Sequence, residues 1–148
     1  EFRRVLFRSP TGLNQQVGNY PGITVEKKLG FCSLPNNIKA NILDLPGTYS
    51  LNASSADENV VTELLLNKND KLYPDVIILV TEVENLKRNL LLYTQIKDLE
   101  IPTILVINMA DRMQLKGIEL NIPILEKELK TKIALVSSRK KMFNCNMR

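Results

Sequence analysis

Histidine is absent from all 148 residues, which removes the imidazole general base and leaves a zinc site short of its usual donors. Only two cysteines occur, Cys32 and Cys145, too far apart for a metal or redox spacing, so the sequence suits a reducing cytosol. Long apolar runs are missing too. Val76-Ile77-Ile78-Leu79-Val80 has the length of a strand and falls far short of a membrane span, so these residues alone do not cross a bilayer. No signal-peptide pattern is present, because the apolar stretch near the start covers only Val5 to Phe7. The middle of the chain has no net charge: the formal +4 arises from +2 in residues 1–9 and +2 in residues 141–148, so a nucleic-acid surface is not indicated. The remaining composition, 44% hydrophobic and 24% charged, is that of a soluble globular domain long enough to bury a core.

The organising stretch is Asp44-Leu45-Pro46-Gly47-Thr48-Tyr49-Ser50-Leu51, which follows the strand-like run Ile38 to Leu43. An acidic residue at a strand's carboxyl end can hold a hydrated magnesium ion, and a glycine three residues on lets a backbone N–H approach a terminal phosphate. Asp-x-x-Gly is equally the composition of an ordinary turn. A second stretch, Asn108-Met109-Ala110-Asp111, follows the apolar run Thr103 to Ile107. There an Asp can accept hydrogen bonds from the ring N–H and exocyclic amine of guanine, a pattern adenine does not offer. Asn and Asp are also good turn formers. The two stretches lie two βα units apart, and an open α/β sheet carries such loops on one edge.

The intervening elements read as follows. Residues Thr11 to Glu26 are punctuated by Gly and Pro and predict a long loop, in which Thr24 could offer its hydroxyl to magnesium and its N–H to a γ-phosphate. Lys27 to Leu34 and Ile38 to Leu43 predict a hairpin turned at Pro35-Asn36-Asn37. Ser54 or Ser55 caps a helix whose apolar positions Val60, Val61, Leu64 and Leu65 recur at helical spacing to about Asn67. Asp75 to Thr81 is a buried parallel strand, and Glu84 to Leu99 a helix with the stripe Leu86, Leu90, Tyr93, Ile96 and Leu99. Gly117 ends a short helix, Asn121 and Pro123 start another running to about Lys130, and Lys132 to Val136 forms a last strand that delivers Ser137 and Ser138 to the loop-bearing edge.

Glu1 to Ser9 is the in-frame translation of a DNA string common in sequencing-library adapters, and reads as a cloning or assembly scar rather than a natural basic arm. The expected organisation is therefore scar over 1–9, domain over 10–141, and an unassigned tail over 142–148.

Pro21-Gly22-Ile23-Thr24-Val25-Glu26, Asp44 to Leu51, Asn85-Leu86-Lys87-Arg88-Asn89-Leu90 and Asn108 to Asp111 together resemble the cytosolic GTPase domain of the ferrous iron transport protein B family. The likeness covers about residues 11 to 141, with Tyr20 where that family commonly has Trp. It implies an α/β Ras-like P-loop GTPase fold, a three-layer sandwich with a mostly parallel sheet. It also implies a nucleotide site of Gly22, Ile23, Thr24, Val25, Asp44, Pro46, Gly47, Asn108, Met109, Asp111, Ser137 and Ser138. Thr24 and Asp44 would hold Mg2+, and Gly47 would donate its N–H to the γ-phosphate of GTP. Asn108 and Asp111 would read guanine, Met109 would cover the base where related enzymes have Lys, and Ser137 and Ser138 would reach its O6 region through backbone N–H. The intact family member leaves room for K+. The implied partners are GTP or GDP and the transmembrane region of a parent protein at the cytoplasmic face of the bacterial inner membrane, with any oligomer formed through that parent.

No Gly-x-x-x-x-Gly-Lys-Ser/Thr phosphate loop occurs in the sequence. The expected fold therefore lacks its first strand and phosphate loop, and binds nucleotide poorly or not at all. Such a gap would leave two strand edges unpaired in mid-sheet and the chain marginally stable or aggregation-prone, unless Arg4 to Phe7 fills it. Thr48 stands where Ras-like enzymes carry a water-positioning Gln, so hydrolysis would be slow, and no catalytic residue is assigned. The competing readings are a degenerate, non-enzymatic interaction module and a soluble ribosome-assembly GTPase. The neutral middle and the Asp-Leu-Pro-Gly loop weigh against the latter.

Overall fold

The computed structural model describes residues 2–6, 15–19, 26–52, 55–137 and 142–144. Their strands are β1 (Phe2–Leu6), β2 (Gln15–Asn19), β3 (Glu26–Ser33), β4 (Lys39–Asp44), β5 (Val76–Glu82), β6 (Thr103–Asn108), β7 (Lys132–Ser137) and β8 (Met142–Asn144). The helices are α1 (Ala56–Leu66), α2 (Leu86–Asp98), α3 (Arg112–Lys116) and α4 (Ile122–Leu129).

The expected hairpin forms, with β3 antiparallel to β4 from Lys28↔Asp44 to Ser33↔Lys39. Its turn needs left-handed backbone at Asn36 (φ 63°) and Asn37 (φ 59°), a region asparagine enters more readily than most side chains. The Leu34 N–H closes it by donating to the Ile38 carbonyl at 2.8 Å. The continuous apolar runs become β5 and β6, paired in parallel from Ile77↔Thr103 to Glu82↔Asn108, and β7 joins them in parallel. Sheet order among the described residues is β2-β3-β4-β1-β5-β6-β7-β8. With β4, β1, β5, β6 and β7 all parallel, the carboxyl ends of five strands share one edge.

Three features depart from the sequence expectation or complete it. The central gap is filled, by Phe2–Leu6 rather than Arg4–Phe7, with β1 bonded to β4 from Phe2↔Lys39 to Leu6↔Leu43 and to β5 at Val5↔Val76 and Leu6↔Ile77. A ladder is made by backbone, so a proline-free run serves as a strand when its neighbours offer two open edges. The long loop contains the edge strand β2, antiparallel to β3, and the unassigned tail contains β8, antiparallel to β7.

The core has two parts joined by α2. Leu92 and Ile96 pack with Leu43, Val61, Leu64, Leu65, Ile77 and Ile101, while Leu86 packs with Val83, Leu105, Ile107 and Ile133. One helix therefore ties the loop after β4 to the loop after β6. Helix α1 is nucleated by Ser55, whose Oγ accepts from the Glu58 N–H at 3.3 Å, while Ser54 lies outside the described residues. Ser55→Ala is expected to destabilise the fold by about 1 kcal/mol in urea unfolding. An unchanged midpoint would mean that the cap is dispensable.

Candidate functional site

The Asp44 loop leaves β4 at the shared edge and is tied down at its far end. The Leu51 N–H donates to Gln95 Oε1 of α2 at 2.8 Å, and Thr62 Oγ1 of α1 lies 3.1 Å from the Leu51 carbonyl, to which it donates. Tyr49 is half exposed, with the Arg88 guanidinium 4.1 Å from its ring centroid, within cation–π range. The Thr48 hydroxyl points its proton at the Ser50 carbonyl, 2.6 Å away, closing a local turn. Its oxygen also lies 3.3 Å from Glu58 Oε1 of α1, so it ties the loop to that helix.

The second loop begins at Asn108, the last residue of β6. Met109 takes a left-handed conformation (φ 61°), which folds the chain back so that the Arg112 N–H donates to the Met109 carbonyl at 2.9 Å. The Ala110 N–H donates to the Val136 carbonyl of β7 at 3.1 Å. Beside it, Ser137 Oγ donates to Asp111 Oδ1 at 2.6 Å, and Ser137 is fully buried. This short bond to a carboxylate fixes the plane of the Asp111 side chain.

Residues from both loops meet. A cavity of about 290 Å³ is lined by Pro46, Gly47 and Thr48 from the first loop, Thr81 and Glu82 from β5, Asn85 and Asn89 at the start of α2, and Asn108. The hydroxyl of buried Thr81 accepts from Asn89 Nδ2 at 2.6 Å, and Asn85 Nδ2 donates to Glu82 Oε2 at 3.2 Å. Asp44, Pro46, Gly47, Asn108, Met109, Asp111 and Ser137 thus lie at the carboxyl edge of the parallel strands. Gly22, Ile23, Thr24, Val25 and Ser138 lie outside the described residues.

No cluster of three or more His, Cys, Asp or Glu among the described residues could hold a metal ion. Magnesium asks for less. It keeps several waters and takes one or two protein oxygens beside substrate phosphates, so the half-buried carboxylate of Asp44 suits it. Sequence reading missed Gln95, Thr62, Glu84 and Arg112, all of which brace the two loops. Their partners lie far away in the chain or are backbone atoms, and spacing alone carries no signal for such contacts.

A family model described as Ferrous iron transport protein B matches residues 3–146. The Fe(2+) transporter FeoB of Leptospira biflexa is 39% identical over 137 residues, 93% of this chain and 19% of that protein. That of Staphylococcus aureus is 40% identical over 134 residues, 90% of this chain and 19% of its own length. The crystal structure of the G domain of the T. maritima FeoB iron transporter superposes with a TM-score of 0.81 at 31% identity, covering 95% of this chain and 91% of that one. The cytosolic domain of the same transporter in a GDP form gives a TM-score of 0.82 at 33% identity, covering 93% of this chain and 57% of that one. The chain spans about a fifth of the length of the curated relatives it matches. No helix among the described residues is long and apolar enough to cross a membrane.

Proposed function

This chain belongs to the ferrous iron transport protein B family, and from that premise we propose that it is the guanine-nucleotide-binding part of an Fe(II) membrane transporter. In this reading the nucleotide state of its loops regulates iron uptake through a transmembrane region of the parent protein. The domain lies on the cytoplasmic face of the bacterial inner membrane, and the parent hydrolyses GTP to GDP and phosphate. Residues 10–141 form the GTPase-type domain, whose sheet β1 (Phe2–Leu6) and β8 (Met142–Asn144) complete; residues 1–9 derive from an adapter and the rest of 142–148 is unassigned.

The observation that carries the reading is the meeting of the two loops at one edge, with Asp111 held by buried Ser137 and Asn108 sharing a cavity with Gly47. The Asp111 carboxylate, fixed in plane, accepts from the guanine N1–H and 2-amino group. Asn108 reads the base with it, and the side chain of Met109 covers one face of the base. Backbone N–H groups of Ser137 and Ser138 meet O6. Gly47 offers its N–H to the γ-phosphate, a contact for which its exposed position and missing side chain leave room. Asp44, through water, and Thr24 hold Mg2+, which when bound neutralises charge on the β- and γ-phosphate oxygens. Gly22, Ile23 and Val25 belong to the nucleotide-binding set with Thr24, and the intact parent has room for K+. Because Thr48 stands where Ras-like enzymes carry a water-positioning Gln, any hydrolysis is slow and rests on backbone groups and ions.

The test is a fluorescent-GDP titration with Mg2+ on this chain and on a longer protein carrying a family-type strand and phosphate loop in front of Thr11. Tight binding by the longer protein, reversed by GDP and not by ADP, supports the reading. If neither protein binds, the base-reading roles of Asn108 and Asp111 are wrong and the interaction-module reading replaces this one.

A further inference from the structure

Helix α3 carries the base-reading Asp111 at its amino end, yet it is five residues long and buries none of them fully. Core packing therefore holds it weakly, and the loop needs other restraints. One comes from Glu84, in the short turn Val83–Asn85 between β5 and α2. Its Oε1 lies 2.8 Å from Arg112 Nη1 and its Oε2 4.0 Å from Lys116 Nζ, so one carboxylate spans the first and last residues of α3. The same Arg112 Nη1 lies 4.0 Å from the sulfur of Met109. A side chain on the β5–α2 turn thus holds the start of the helix that carries the base acceptor and, through Arg112, lies one contact away from Met109.

We propose that Glu84 is a positioning residue for guanine selection. Acting through Arg112, it holds the Met109 side chain and the Asp111 end of α3 in the geometry that reads the base. This rests on the proposed guanine site and deepens it, since it places a determinant of selectivity outside the Asn108–Asp111 loop. The pair is partly exposed, with side-chain exposures of 47% for Arg112 and 28% for Glu84, so its effect is modest and weakens with salt.

The experiment is an NMR titration of the full chain with GMP, IMP and AMP at millimolar concentration, a range in which base recognition registers without a phosphate loop. IMP lacks the 2-amino group, so the GMP-to-IMP affinity ratio reports the Asp111 contact. Glu84→Gln is expected to weaken GMP about fivefold and to narrow that ratio, with the melting temperature nearly unchanged. The charge exchange Glu84→Arg with Arg112→Glu is expected to return both values to within about twofold of the unaltered chain, as a restored ion pair would. Unaltered GMP binding in Glu84→Gln, equal losses for GMP and IMP, or no recovery in the exchanged pair would each overturn the proposal. Where the unaltered chain shows no binding, the same titrations are run on the longer protein with a family-type phosphate loop; if that protein too fails to distinguish GMP from AMP, the guanine site itself is wrong and the positioning role falls with it.

Discussion

A family-type first strand and phosphate loop placed before Thr11 is expected to tighten GDP binding by at least about a thousandfold relative to this chain. The effect is large because the missing element supplies the strongest contacts. A nest of backbone N–H groups and a lysine each make charge-assisted hydrogen bonds to phosphate oxygens, and bonds to charged groups contribute about 1.5–3 kcal/mol apiece. Two or three of them surviving as net gain already exceed about 4 kcal/mol, which is a thousandfold. The cavity that Gly47 lines has no lysine among its described lining residues. Isothermal titration of both proteins with GDP and Mg2+ measures the ratio. A ratio near one would mean that residues already in this chain cradle the phosphates and that the loop's absence is compensated.

How much of this was legible beforehand depended on whether a feature is local. Helix α1 could be read because a cap and the apolar spacing Val60, Val61, Leu64 and Leu65 are short-range signals, and all four residues are buried. Strands β5 and β6 could be read because strands covered by helices are apolar at nearly every position. The helical stripe of α2 omitted Leu92, which is 4% exposed, because that helix faces two core clusters and no single stripe describes it. Strand β2 escaped notice because Gln15, Gln16, Gly18 and Asn19 show no apolar alternation, and its pairing is imposed by β3. The placement of Asp44, Gly47, Asn108 and Asp111 at the carboxyl edge of the sheet could be read from spacing, because strand ends deliver loops. Ser137 was assigned for its backbone, whereas its hydroxyl turns out to orient Asp111 across 26 residues of chain.

Proline at position 5 is expected to have the largest effect on folding. Val5 sits in the one strand that joins the two halves of the sheet, opposite Ile42 of β4 and Val76 of β5. Proline there removes a ladder N–H, leaves a neighbouring carbonyl unpaired and forces its ring against that strand, costing about 3 kcal/mol, the upper end for a buried polar group left unsatisfied. That is a large share of the 5–15 kcal/mol typical of a whole domain, and corresponds to a fall of roughly 10 °C in melting temperature. Edge strand β2 supplies the control, because it pairs with β3 alone. At Gln16 and Val17 successive N–H groups point to opposite sides, so one of the two proline variants loses no ladder bond and should stay within about 1 kcal/mol of the parent. Circular dichroism melts of the three variants make the comparison. If Val5→Pro melts with the unaltered chain, Phe2–Leu6 adds nothing to the sheet's stability, and β4 and β5 hold together through α1 and α2. If it loses its cooperative transition while one β2 variant keeps it, a run of adapter-like sequence has become the central strand on which both loop-bearing halves depend.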